Sequence, residues 1–165
     1  PQNGDIIYNT TENKFQVRES GAWSNLTTSG SLEVPNYSFV DFSGTGTGTI
    51  TTGNLLVDDT PADVEVGISV TFFNRIEITI SGMMYYGGAT GISDRTLSIE
   101  RSINGGTYTA VTTAMGSPQG PTNITFVDVH GAGNGDILTY RFRNTGTQSL
   151  IVDYSKANQI IAREV

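Results

Sequence analysis

Apolar and polar residues alternate with a period of two along much of this chain. Ile76, Ile78 and Ile80 are separated by Glu77 and Thr79, Leu97, Ile99 and Ile103 share one parity, and Leu138, Tyr140 and Phe142 form a third such run. Successive side chains of a strand point to opposite faces, so this pattern predicts half-buried β-strands. Three short strands are expected first, over Asp5–Tyr8, Lys14–Arg18 and Ala22–Leu26. Longer runs follow at Tyr37–Phe42, Thr49–Val57, Val64–Phe72, Arg75–Tyr86 and Arg95–Ile103. The remainder are Thr107–Ala114, Thr122–Val129, Asp136–Arg143, Ser149–Tyr154 and Gln159–Val165. Between two of these runs lies Asn104-Gly105-Gly106, and Asn and Gly tolerate the positive φ that a type I′ hairpin turn demands. Asn134-Gly135 and Asn144–Gly146 read as further turns, and no amphipathic helix of three turns is expected anywhere. Short strands punctuated in this way imply an all-β sandwich or jelly roll.

Two segments depart from strict alternation. Leu150-Ile151-Val152 and Ile160-Ile161-Ala162 are apolar on both parities, which predicts that one face packs the subunit's own core and the other meets a second subunit. The opening stretch, with Ile6, Tyr8, Phe15, Val17, Trp23 and Leu26, is too small to bury enough area against the ordering entropy of its residues. Nothing later in the chain repeats it, so copies of the same module in other subunits are its expected neighbours. The predicted organisation is a β-hairpin module at 1–27, a Ser/Thr/Gly-rich linker at 28–36 containing Pro35, and a β-sandwich at 37–165.

Composition narrows the chemistry. The 165 residues include 20 Gly, 5 Pro and no Cys, which removes disulfides and thiolate metal sites. A formal net charge of −7, with Lys14 and Lys156 as the lysines, argues against nucleic acid or an anionic membrane as partner. His130 is the single histidine, so a multi-histidine zinc site or a His-based triad has no raw material. Gly44–Thr49 (GTGTGT) lacks the strand–turn–helix setting of a phosphate-binding loop and reads as a plain loop. Asp58, Asp59, Asp63 and Glu65 cluster oxygen ligands of the kind calcium takes, without the fixed alternation of a calcium loop, and an acidic turn is expected. His130–Asp136 (HGAGNGD) reads as a hairpin tip. No catalytic residue, cofactor or metal is predicted. Tyr8, Phe15 and Trp23 could stack on sugars, but packing between chains is the reading favoured for them.

Two stretches carry a resemblance. Gly4, Ile6, Tyr8, Asn9, Thr11, Phe15, Trp23 and Leu26 match a short module common in bacteriophage tail-fibre and related virion proteins. Arg75–Gly82 (RIEITISG), Leu97–Gly106 (LSIERSINGG), Ile124–Val129 with Gly135–Asn144, and the closing Ala157–Val165 resemble the trimeric C1q/TNF-type jelly roll. The resemblance implies a homotrimeric phage fibre or spike located on the virion, attached to other virion proteins through its stalk. Its head is expected to bind a host-surface receptor, a glycan or an envelope protein, without catalysis. A purely structural capsid decoration fibre and a bacterial surface appendage are the alternatives. Tyr8, Phe15, Trp23, Leu26 and Ile160 are the expected trimer-packing residues. In an up-and-down order entered from the stalk, Ser43–Gly48, Gly87–Ser93, His130–Gly135 and Ser155–Ala157 fall at the apex. Tyr85, Tyr86, Asp94, His130, Asn134 and Lys156 are the expected receptor-facing residues there, since loops on a rigid scaffold are where binding concentrates.

Overall fold

The computed structural model describes residues 1–11, 14–25, 35–71, 73–88, 91, 93–117 and 119–165. The chain divides into two compact units, Pro1–Val34 and Pro35–Val165. Both are antiparallel β structures, and no α-helix occurs among the described residues. The expected linker falls largely outside the described residues, as does Leu26.

The first unit is a three-stranded meander of β1 (Ile6–Asn9), β2 (Lys14–Glu19) and β3 (Ala22–Asn25), with β2 central. Its tight second turn uses positive φ at Ser20 and Gly21. The register sorts its side chains. Ile6 lies opposite Val17 and Tyr8 opposite Phe15 on one face, whereas Arg18 lies opposite Trp23 on the other. Gln16 is the one buried side chain among its described residues, and it is polar. Asn9 donates to Gln16 Oε1 (3.2 Å), and Gln16 Nε2 donates to Asn25 Oδ1 (2.8 Å), an amide ladder across the three strands.

The second unit contains β4 (Tyr37–Asp41), β5 (Thr47–Ile50), β6 (Glu65–Ser69), β7 (Arg75–Gly82), β8 (Met84–Tyr86) and β9 (Thr96–Ile103). It continues with β10 (Thr109–Met115), β11 (Thr122–Val129), β12 (Ile137–Asn144), β13 (Leu150–Asp153) and β14 (Gln159–Glu164). Two four-stranded sheets, ordered β11-β7-β14-β4 and β10-β9-β12-β6, are joined by a small sheet β5-β13-β8. The wrapping is compatible with a jelly-roll sandwich. Between the large sheets the alternation holds for Ile76, Ile78, Ile80, Leu97, Ile99, Leu138, Tyr140 and Phe142, which are all buried, whereas Ile103, of the same parity as Leu97 and Ile99, is exposed at the end of β9. Each buried side chain of this kind contributes about 1.5–3 kcal/mol relative to exposure. At the β9 hairpin, Asn104 (φ 51°) and Gly105 (φ 71°) both adopt positive φ, as a type I′ turn requires.

Three expectations are corrected. The run Thr49–Val57 is not one strand, because a turn at Thr52-Gly53, closed by the Asn54 amide donating to the Thr51 carbonyl (3.1 Å), ends β5 early. Arg75–Tyr86 likewise splits between two sheets. Gly82 (φ 156°) makes the break, Asn158 Oδ1 accepts from Met83 N at 2.9 Å, and the Asn158 side chain and backbone occupy the space a Cβ at residue 82 would need. Thirdly, the four apex loops do not share an end. Asp41 and Gln159 pair with each other at the end of the sheet where β7 reaches Gly82, so Ser43–Gly48 and Ser155–Ala157 depart from there, whereas Gly87–Ser93 lies partly outside the described residues. Val129 pairs with Arg75 at the opposite end, beside the start of β4, and His130–Gly135 follows from it. The up-and-down count goes astray because Thr49–Val57 does not cross either large sheet: β6, β7, β9, β10 and β11 separate Ser43–Gly48 from His130–Gly135, an odd number that puts the two loops at opposite ends.

Candidate functional site

The outward face of the β11-β7-β14-β4 sheet is set by register. Across its middle run Thr125, Thr79, Ile161 and Phe39; the next row holds Val127, Glu77, Arg163 and Tyr37. Tyr37 (54% exposed) and Phe39 (52%) lie with ring centroids 5.8 Å apart, and Val127 and Val129 are also exposed. Arg163 pairs with Glu77 at 2.7 Å, and the Thr79 and Thr125 hydroxyls meet at 2.9 Å. Polar groups on this face thus satisfy one another and leave the rings and aliphatic side chains as the unspent surface. Ile160, expected at this contact, is instead fully buried in the unit's own core, and its neighbour Ile161 takes the outward position. A shift of one residue in a strand exchanges the faces, so the apolar doublet was informative while the choice within it was not.

The first unit presents a second such face. Tyr8 is 48% and Phe15 56% exposed, with centroids 5.0 Å apart, and Ile6 lies exposed beside them. Trp23 does not join them: it lies under the Arg18 guanidinium (5.7 Å) on the opposite face. Grouping these three aromatics overlooked that Trp23 is set by Arg18, two residues beyond Gln16, and so has the other parity.

The expected receptor-facing residues are scattered. Asn134 and Lys156 are exposed, at opposite ends of the sandwich, and Tyr85 and Asp94 are half-buried. Tyr86 is fully buried, its hydroxyl donating to Asn144 Oδ1 (3.0 Å), so it cannot reach a receptor. Asp94 accepts from Gly91 N (2.9 Å) and Thr147 Oγ1 (2.6 Å), which makes it a loop-tying group.

His130 is also buried, at 5% exposure, and borders a polar cluster between the sheets that periodicity did not reveal. Asp128 accepts from Arg101 Nη1 (2.6 Å) and from the Tyr140 hydroxyl (2.7 Å). Nearby, Glu164 accepts from Asn36 N (2.9 Å), from Thr71 N (2.6 Å) and from the Thr71 hydroxyl. Burial tends to raise the Glu164 carboxyl, but these hydrogen bonds outweigh it and hold the group below its ordinary range. Neither ring nitrogen of His130 makes a hydrogen bond of normal geometry among the described residues. Burial lowers its pKa; Asp128, Glu164 and the Ala132 backbone oppose the shift, and Arg101 adds to it.

A histidine with a depressed folded-state value leaves the unfolded chain to bind its proton first. Stability is therefore complete above the ordinary histidine value of about 6.5 and falls as pH drops below it. Glu164 and Glu100, both held low, begin to cost stability only at lower pH, below their unfolded values. Thermal unfolding between about pH 7.5 and 5.5 should show a falling midpoint in the wild type and a flatter profile in His130→Leu. Parallel profiles would remove His130 as the cause.

No protein-family model matches the chain, and no curated protein matches it either.

Proposed function

We propose that the chain is a segment of a homotrimeric phage fibre or spike on the virion, with a C1q/TNF-like head that binds a host-surface receptor without turnover. The observation that carries this reading is the pair of apolar faces left uncovered in the single chain. One is Ile6, Tyr8 and Phe15 on a module whose described residues bury no apolar side chain; the other is Tyr37, Phe39, Ile161 and Val127 on the sandwich. Threefold closure covers such faces with equivalent surfaces of two mates and leaves the β10-β9-β12-β6 side outward. The strand order supports the family resemblance: numbering the eight strands of the two large sheets by sequence, one sheet reads 6-3-8-1 and the other 5-4-7-2. Binding through three equivalent sites would gain avidity on a surface that carries many receptors.

Light scattering should return about three times the 17.6 kDa chain mass. Phe39→Asp, which places a charge in the middle of the sheet face, should shift the population to folded monomers. A monomeric wild type at micromolar concentration would defeat the proposal. Tight association with capsid or baseplate proteins, and none with host envelopes, would replace the receptor role with decoration.

A further inference from the structure

On the other side of the sandwich, an open pocket of about 410 Å³ lies between β5, the segment 54–57 and the end of β12. That volume is within the range of about 300–1,000 Å³ usual for small-ligand sites. Its polar groups converge from different segments: Thr49 from β5, Asn54 from the turn, Asp63 from the acidic loop and Arg143 from β12. Ile50, Leu55 and Val57 supply an apolar floor. Backbone pairing fixes this arrangement, with Leu55 bridged to Arg143 and Val57 to Asp63.

The guanidinium of Arg143 is held in place. Its Nε donates to Glu100 Oε1 (2.7 Å) and its Nη1 to the Gly53 carbonyl (2.6 Å). Glu100 also takes the Arg141 Nε at 2.7 Å, and Arg141 in turn lies over the Tyr108 ring at 3.6 Å. Asp63 is exposed and accepts no hydrogen bond from the described residues, and its charge favours the protonated state of Arg143. The pocket therefore carries one fixed cation and one carboxylate with unused acceptor capacity. A cationic ligand reaching Asp63 is repelled by Arg143, and an anionic one reaching Arg143 is repelled by Asp63 and by Glu100 behind it. No group of three or more acidic or histidine ligands able to hold a metal ion occurs among the described residues. What fits is a molecule without net charge whose groups donate and accept together and which has an apolar side for the floor. A pyranose meets both requirements, with hydroxyls for Asp63, Asn54, Thr49 and Arg143, and a C–H face for Leu55 and Val57.

We propose that this pocket binds a neutral pyranose unit of a surface glycan. The assignment deepens the receptor-binding reading and rests on it; it also moves the contact away from the loops that sequence reasoning favoured.

The test uses the full chain with methyl-labelled Ile, Leu and Val, titrated with methyl glycosides of galactose, mannose and N-acetylglucosamine. Sialic acid and butylammonium serve as charged controls. At least one neutral glycoside should shift the Leu55 and Val57 methyl signals with a dissociation constant on the order of 1 mM, and neither charged control should match it. Asp63→Asn, at an exposed position, should weaken that binding by about tenfold through loss of a charge-assisted hydrogen bond. Unchanged Leu55 and Val57 signals with all three neutral probes, stronger shifts with a charged control, or an unaffected Asp63→Asn would each overturn the assignment. Adsorption to host envelopes separates the two levels. If wild type and Asp63→Asn adsorb equally, the pocket assignment falls and the receptor reading survives; if neither adsorbs, both fall.

Discussion

Replacing Asp128 with Ala is expected to destabilise the second unit by about 3 kcal/mol or more, the cost of stranding a buried charge whose partner has been removed. Asp128 is buried and Arg101 mostly so, and their 2.6 Å contact lies between the two large sheets. Without the carboxylate, the guanidinium keeps its desolvation cost and loses the interaction that offset it, and the Tyr140 hydroxyl loses its acceptor at 2.7 Å. Against a typical domain stability of about 5–15 kcal/mol, this is a large fraction. Because the penalty comes from the orphaned charge, removing both charges should recover much of it. A double variant, Arg101→Met with Asp128→Leu, is expected to be more stable than Asp128→Ala alone. Denaturant unfolding of the single, the double and Tyr140→Phe decides the matter. A double variant no better than the single would place the loss in packing. Tyr140→Phe, which removes one neutral donor, should cost only about 1 kcal/mol.

That cluster also marks the limit of what alternation conveys. Arg101 and Asp128 stand at inward positions of β9 and β11, in phase with Ile99 and Phe126. A polar residue at an inward position looks, in one dimension, like a break in the pattern. Only the meeting of two strands distant in sequence turns two such breaks into a pair. The isoleucines of β7 and the apolar run of β12 were legible because their signal repeats within a single strand. So was the Asn104-Gly105 turn, whose requirement for positive φ is local. The small sheet β5-β13-β8 was not, since it depends on Gly82 ending one strand and Thr52-Gly53 another, and a glycine within an apolar run does not announce which sheet receives the continuation. Counting Thr49–Val57 as a strand that crosses a large sheet then reversed the end assigned to His130–Gly135. The outward sheet face was half legible: apolar residues on both parities at Ile160-Ile161 signalled two covered faces, but strand parity had to come from pairing with Thr79 and Phe39. The pocket beside Arg143 was hidden for a similar reason, as Thr49, Asn54, Asp63 and Arg143 come together through backbone bridges that no local motif encodes.

Asn144→Leu should be comparably damaging, but in a different place. The Asn144 side chain is fully buried and uses all four of its hydrogen-bonding sites. Its Nδ2 donates to the carbonyls of Ile50 (2.9 Å) and Gln148 (3.0 Å), and its Oδ1 accepts from the Tyr86 hydroxyl (3.0 Å) and Gly146 N (3.0 Å). One side chain at the end of β12 therefore ties β5, β8 and the loop before β13 together, which are the parts of the small sheet that alternation failed to assemble. Leucine has similar bulk and satisfies none of the four; the Tyr86 hydroxyl and Gly146 N keep the Thr96 carbonyl as acceptor (3.1 and 2.8 Å), so the loss falls on the carbonyls of Ile50 and Gln148, at roughly 1–3 kcal/mol each, partly relieved by local opening. A net loss of about 3 kcal/mol is expected from this mechanism. Hydrogen exchange should show the loss as local. Amides of β5, β13 and the 145–148 loop should lose protection well before those of β7 and β14, whose ladder does not pass through Asn144. Uniform loss of protection across both large sheets would instead mean that the small sheet and the sandwich unfold as one cooperative unit. In that case Asn144 would be a keystone of the whole β-sandwich and not a local clasp.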